Sequence, residues 1–235
     1  MIDLYGMGSP NVVKIYIALE ELELPYTVHP VDVFTGEQFD AAFRKLNPNA
    51  KVPVIVDHEG PGGKPYSVFE SGAILLYLGE KTLRLLPTDM AARYDVIQWL
   101  MVQLTGVGPM SGQLTHFVRF APPGNDYARS RYLTQVHRLF EVIDARLAQA
   151  PYLGGAHYSI ADIANFPWFR VADALIGAEK TRYPNVLRWV DTIAARPAVQ
   201  RALKAVDDVR TRTTPFDKAD PDVMDQVMGR GRYAA

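Results

Sequence analysis

Apolar residues recur along the chain with two different periods, and the change between them divides it. Residues 2–5 form a short apolar run ending in the turn Gly6-Met7-Gly8. Ser9-Pro10-Asn11 follows, with serine in an N-cap position and proline at the first helical residue, so a helix is predicted from here. Val12, Val13, Tyr16, Ile17 and Leu19 keep helical spacing to about residue 22. Residues 26–31 read as a second strand and 39–46 as a short amphipathic helix, closed by the turn Asn47-Pro48-Asn49-Ala50. After Lys51-Val52-Pro53, two β-prone runs at 54–56 and 66–69 flank a loop rich in Gly and Pro, the pattern of an antiparallel hairpin. Glu70-Ser71 then opens a helix over 73–81. The order β-α-β-α-β-β-α predicts a mixed sheet with helices on its faces.

Around 83–89 the pattern changes, punctuated by Pro87, and only helical periodicity follows: 89–118, 125–149, 160–177 and 184–205. Gly106-Val107-Gly108-Pro109 is expected to kink the first of these helices. Tyr132, Val136, Leu139, Phe140, Ile143 and Leu147 form an apolar face at i, i+4, i+7 spacing on the second. Ser159-Ile160-Ala161-Asp162 is a capping box with Asp in place of Glu, and Tyr158 and Ile163 stand where its hydrophobic staple would be. Trp99, Trp168 and Trp189 are expected in the helical core. From about residue 209 the chain turns polar and irregular. The expected organisation is an α/β domain over 1–82, an all-helical domain over 89–206 and a mobile tail over 207–235.

Composition narrows the chemistry. The 235 residues include no cysteine, which excludes disulfides, thiolate-bound metals and a cysteine nucleophile. Any thiol chemistry must use a thiol brought by the ligand. The five histidines are scattered without ligand spacing, so no metal is expected. A net charge of −1 leaves no electrostatic footprint for nucleic acid. There is no apolar run long enough to span a membrane and no signal-peptide pattern at the N-terminus, so a cytoplasmic location is expected.

Gly6-Met7-Gly8 between a strand and a helix, with Asp32 ending the next strand, imitates a dinucleotide fingerprint. Asn11 occupies the third glycine position, however, and the later hairpin departs from a parallel βαβ repeat, so a tight turn is the preferred reading. Three other positions converge in the predicted topology. At Ser9-Pro10-Asn11 a helix N-terminus favours an anion such as a thiolate, although Ser9 alone also reads as a plain N-cap. Val52-Pro53 enters a strand where a cis bond would present the Val52 backbone to an extended peptide, an ordinary trans proline being the alternative. At Phe69-Glu70-Ser71-Gly72, Ser71 offers a carboxylate site at a helix start and Glu70 a partner for an ammonium group, with simple capping again the alternative. Together they outline a slot for a small zwitterionic peptide whose thiol lies near the first helix.

The runs Asn49-Ala50-Lys51-Val52-Pro53-Val54, Phe69-Glu70-Ser71-Gly72-Ala73-Ile74 and Ser159-Ile160-Ala161-Asp162-Ile163-Ala164 resemble the cytosolic glutathione transferases, over residues 1 to about 206. A finer resemblance, to the bacterial nu class of glutathione-dependent disulfide-bond reductases related to the yeast nitrogen-regulation prion protein, rests on four further stretches. These are Ser9-Pro10-Asn11, Gly36-Glu37-Gln38-Phe39, Gly108-Pro109-Met110-Ser111-Gly112-Gln113 and Tyr152-Leu153-Gly154-Gly155. The resemblance implies an α/β thioredoxin-like N-terminal domain followed by an all-α helical bundle, and a homodimer.

It also implies roles. Asn11, with Ser9, lies near the glutathione sulfur. Gln38 contacts the tripeptide, and Lys51 belongs to the stretch that binds it. Val52 pairs its backbone with the cysteinyl unit next to cis-Pro53, and Glu70 and Ser71 clamp the γ-glutamyl group. Arg131 reaches the ligand of its own or the partner subunit, where its setting alone reads as a solvated helix face. The nu pattern often has Thr at the position of Ser9, so the hydroxyl is kept but less firmly oriented. Tyr5 precedes the turn and reads as packing, and His116 and Phe117 read as helix surface and core rather than as the lining of a second-substrate pocket. Glutathione is expected as a cosubstrate, with no permanently bound cofactor. The expected reaction is reduction of small disulfides through bound glutathione thiolate. Conjugation or thiolytic cleavage of electrophiles, and a non-catalytic glutathione-binding regulator, are the alternatives.

Overall fold

Alternation along β1 (Ile2–Gly6) buries Ile2, Leu4 and Gly6 and leaves Asp3 and Tyr5 half-buried on the opposite face. In this computed structural model, which describes residues 1–234, β1 is a central strand of a four-stranded sheet ordered β2-β1-β3-β4. β2 (Tyr26–Pro30) runs parallel to β1, whereas β3 (Val54–Asp57) is antiparallel to β1 and to β4 (Tyr66–Phe69). The predicted mixed sheet is therefore present. Its helices are α1 (Pro10–Glu21), the short α2 (Ala41–Leu46) and α3 (Ser71–Thr82). One face carries a small cluster of Val31, Phe43 and Val54, joined by Tyr5, Leu46 and Val52.

The helical part contains α4 (Met90–Val102), α5 (Gly108–Arg119), α6 (Asp126–Gln149), α7 (Ile160–Phe169), α8 (Ala172–Ile176) and α9 (Pro184–Ala194). Between α4 and α5 the helix widens into a π-turn over Gln103–Val107, where the Gly108 N–H donates to the Gln103 carbonyl. Pro109 has no N–H to continue the regular ladder, so the expected irregularity at this point takes the form of a wide turn. Two expected helices are divided. The run 160–177 breaks after Phe169, because Pro167 removes a hydrogen bond inside α7. The run 184–205 breaks at Arg196, ahead of Pro197, which starts α10 (Pro197–Arg210).

The chain divides into two compact units, Met1–Ile74 with Gln200–Ala235, and Leu75–Val199, which part within α3 and α10. The segment expected as a mobile tail is folded instead. It forms α11 (Pro221–Met228), whose first turn is capped by the Asp220 carboxylate accepting from the Asp222 and Val223 N–H groups at 2.9 and 3.0 Å. The Asp32 carboxylate accepts from the Thr214 N–H at 2.6 Å, and the Phe34 carbonyl accepts from the Asp220 N–H at 3.0 Å. A polar composition concealed these partners, which lie nearly two hundred residues away in sequence.

In the helical unit the capping box forms as expected. Asp162 Oδ2 accepts from the Ser159 N–H and hydroxyl at 3.0 and 3.1 Å, and Oδ1 from the Leu153 N–H and Trp189 Nε1, both at 2.9 Å. Trp189 is fully buried and Trp168 nearly so, while Trp99 is half-buried beneath Arg146.

Candidate functional site

Strand register gathers the expected residues along one edge of the sheet. Tyr5 pairs with Val54, Val54 with Phe69, and Gly6 with Pro30. The chain therefore leaves β1 toward Ser9, enters β3 from Pro53, leaves β4 at Glu70 and leaves β2 toward Gln38, all at the same end. Strands lie about 4.8 Å apart, so β1, β3 and β4 span about 10 Å, the length of an extended tripeptide.

At α1 the Ser9 carbonyl accepts from the Val12 and Val13 N–H groups at 2.9 and 3.0 Å, but the Ser9 side chain makes no capping hydrogen bond. Its hydroxyl is thus uncommitted at the positive end of a 12-residue helix, beside the exposed Asn11. Gly6 is required in the preceding turn, because a Cβ there would stand 2.6 Å from Val12 Cγ1. Asp32 spends its carboxylate on the Phe34 and Thr214 N–H groups, at 3.0 and 2.6 Å, in keeping with the tight-turn reading of the glycine motif. Tyr5 stacks on His29 at 4.8 Å, and burial raises the pKa of its hydroxyl, with Asp3 adding to the rise. That favours packing over thiolate contact.

The loop before β3 is organised by Asn47, which sequence reading treated only as part of a turn. Buried, it donates through Nδ2 to the Lys51 carbonyl at 2.6 Å and accepts at Oδ1 from the Asn49 N–H at 2.9 Å. Lys51 itself is exposed, Val52 half-buried, and the Val52–Pro53 bond is cis. The sheet ladder begins only at Val54, so the Val52 N–H and C=O take no part in it.

At α3, Glu70 is exposed and has a φ of 68°, in the left-handed region that a non-glycine residue occupies at a cost of about 1–3 kcal/mol. Asn49 Nδ2 donates to its Oε1 at 3.4 Å. Ser71 is buried, and its Oγ accepts from Lys14 Nζ at 3.2 Å. Lys14, one turn beyond Asn11 on α1, is only 1% exposed. Burial drives its pKa down to about 7, opposed by the carboxylate of Glu70. This contact joins the two helix starts and was missed in the sequence, although a single charge within the apolar run 12–19 marks the position.

Gln38 is buried with its amide turned into its own loop, Nε2 donating to the Val33 carbonyl at 3.2 Å and Oε1 without a hydrogen-bond partner among the described residues. Arg131 lies exposed on α6 in the helical unit. Nearby in that unit Phe117 stacks on Tyr132 at 5.4 Å and meets the His116 ring edge-on at 5.0 Å, so both His116 and Phe117 are engaged in an aromatic cluster. Among the described residues no His/Asp/Glu cluster suits a metal ion, and no helix is long and apolar enough to cross a membrane.

A thioredoxin-like sheet with these loops at one edge, continued by an all-helical unit, defines the glutathione transferase class. Residues 8–81 match the glutathione S-transferase N-terminal domain and 109–197 its C-terminal domain, and the chain belongs to this family. It is 47% identical over 204 residues to the disulfide-bond oxidoreductase YfcG of Escherichia coli, covering 86% of this chain and 94% of that protein. Among solved structures it is similar to a glutathione transferase of Burkholderia graminis with two glutathione molecules bound per subunit. The TM-score is 0.81 at 46% identity, over 87% of this chain and 88% of that one. A glutathione transferase of Pseudomonas putida with one glutathione disulfide bound per subunit is also similar. There the TM-score is 0.82 at 42% identity, over 86% of this chain and 90% of that one.

Proposed function

We propose that the protein is a glutathione-dependent disulfide-bond reductase acting on small disulfides. One observation carries the reading: a serine hydroxyl free of capping duty stands with Asn11 at an open helix N-terminus, in a chain without cysteine. Such a site lowers the pKa of a thiol supplied by the ligand. The glutathione thiolate attacks one sulfur of the substrate disulfide, forming a mixed disulfide and expelling the other half as thiolate. A second glutathione thiolate attacks the glutathione sulfur of that mixed disulfide, yielding glutathione disulfide and releasing the remaining half. Two glutathiones are oxidised as one substrate disulfide is reduced to two thiols.

The row of loops supplies the alignment. Glu70 and Ser71 take the γ-glutamyl ammonium and carboxylate, the Val52 backbone pairs with the cysteinyl unit, and Asn11 and Ser9 face the sulfur. Lys51 and Gln38 complete binding, and Arg131 is assigned to the ligand of its own or the partner subunit. We further infer a cytoplasmic homodimer. Tyr66 and Phe69 on the edge strand β4, and Met90, Tyr94 and Met101 along α4, are apolar side chains left exposed, which suits a partner subunit. Sedimentation equilibrium at twice the chain mass of 26.2 kDa would support the dimer.

The test is the steady-state rate of glutathione-dependent reduction of 2-hydroxyethyl disulfide, coupled to glutathione reductase and NADPH. A saturable rate well above the uncatalysed exchange is expected. Asn11→Ala should lower kcat by about tenfold or more, as removal of one donor to a developing anion does, while glutathione binding persists. A wild-type rate at background would overturn disulfide reduction and direct attention to electrophile conjugation.

A further inference from the structure

Lys14 is the one charged side chain within the buried stretch 12–19 of α1, and it is directed at a residue of the site rather than at solvent. Its ammonium has donors only and no acceptor, whereas a serine hydroxyl has one hydrogen and two lone pairs. When Lys14 Nζ donates to Ser71 Oγ, the hydroxyl hydrogen is left for another acceptor. We propose that Lys14 is a positioning residue of the carboxylate site at the start of α3, its ammonium holding Ser71 as a hydrogen-bond donor toward the γ-glutamyl α-carboxylate. The assignment rests on the glutathione reading and deepens it by naming what sets the polarity of the Ser71 hydroxyl.

A neutral Lys14 no longer fixes that polarity. The uncharged amine gains a lone pair that competes for the Ser71 hydrogen and draws it away from the ligand. Burial favours the neutral form and the carboxylate of Glu70, facing Lys14 from the turn before α3, favours the charged one; the balance falls at about 7. The pair is therefore poised where a bound carboxylate, itself negative, draws the proton onto Lys14. Binding and protonation become linked.

The probe is S-methylglutathione, which keeps the γ-glutamyl carboxylate and has no ionisable thiol; its dissociation constant is measured by calorimetry between pH 6 and pH 8. Wild-type affinity should fall about tenfold over that interval, the slope that follows from requiring one proton above a pKa near 7. In Lys14→Arg, which stays charged, the fall should disappear. Lys14→Met should bind about tenfold more weakly than wild type at pH 6, without pH dependence. At pH 6 the same Lys14→Met change should leave binding of the γ-glutamyl α-carboxamide analogue within about threefold, because that ligand has no carboxylate for Ser71 to meet.

Equal weakening of both ligands in Lys14→Met would overturn the assignment in favour of a purely structural role, as would a flat wild-type profile. Should Lys14→Met not fold, the wild-type and Lys14→Arg profiles still decide. Absence of any binding by the wild type overturns the glutathione reading itself. Binding that is indifferent to residue 14 overturns only this inference.

Discussion

Ser9 occupies the N-cap of α1 in the extended conformation a cap requires, yet its hydroxyl does not cap. A capping serine contributes about 1 kcal/mol to its helix, so Ser9→Ala separates structural from chemical use of the side chain. Its unfolding free energy in urea should stay within about 0.5 kcal/mol of wild type, whereas kcat for disulfide reduction should fall about tenfold or more. A loss of about 1 kcal/mol with unchanged kcat would return Ser9 to an ordinary cap. Glu70 is the second residue whose backbone and side chain invite the same comparison. It keeps a left-handed backbone at a helix start, where glycine would be relaxed but would bring no carboxylate.

At the scale of elements, the starts of α1, α3 and α7 were legible because each is announced by a serine at the boundary of a periodic apolar run. The mixed character of the sheet followed from the hairpin and the intervening helices, whereas the strand order β2-β1-β3-β4 depends on long-range pairing that no local pattern shows. What escaped had causes outside local pattern. Pro167 and Pro197 divide helices whose apolar spacing runs on across them, so periodicity alone joined α7 to α8 and α9 to α10. Lys14 and Asn47 acquire their meaning from partners on other segments, Ser71 and the backbone of the Lys51 loop, which no spacing reveals.

The capping box of α7, by contrast, was readable, and its carboxylate has a consequence for stability. Burial pushes Asp162 up to about 6 against the pull of the Leu153, Trp189 and Ser159 donors. The folded state therefore holds a proton that the unfolded chain releases near pH 3.8, so this group's contribution to stability falls as the pH rises from about 4 to about 6, then levels off. Asp162→Asn sets an amide NH2 against donors that need an acceptor and should cost about 2–4 kcal/mol in urea unfolding at pH 7. The deficit should widen when the comparison is made at pH 4, where the wild type regains stability and the variant has no group to titrate. A constant deficit between pH 4 and pH 7 would contradict the raised pKa.

At the scale of the molecule, the last thirty-odd residues return to the first unit and run past the loops of the sheet edge. Arg201 Nε meets Glu20 Oε2 at 2.7 Å near the end of α1, and Arg210 Nη2 reaches the Gly8 carbonyl at 3.5 Å beside Ser9. Phe216 packs edge-on against Phe34 at 5.7 Å, and Val223 lies against Gly36, where a Cβ would come within 3.1 Å of it at a φ of 93°. These contacts, with Thr214 on Asp32, brace the loop that carries Gln38. A chain ending at Arg212 keeps α10 but loses the brace, leaving the buried Asp32 with one donor fewer. Such a hydrogen bond to a charged group is worth about 1.5–3 kcal/mol, enough to loosen a loop though not to unfold the sheet, whose core of Leu4, Ile15 and Ile55 lies elsewhere in the sequence. The truncated protein should therefore show a KM for glutathione about three- to tenfold higher with kcat little changed, and faster amide exchange confined to residues 32–39. Unchanged KM alongside faster exchange would mean that the loop is braced for folding alone and that Gln38 takes no part in binding.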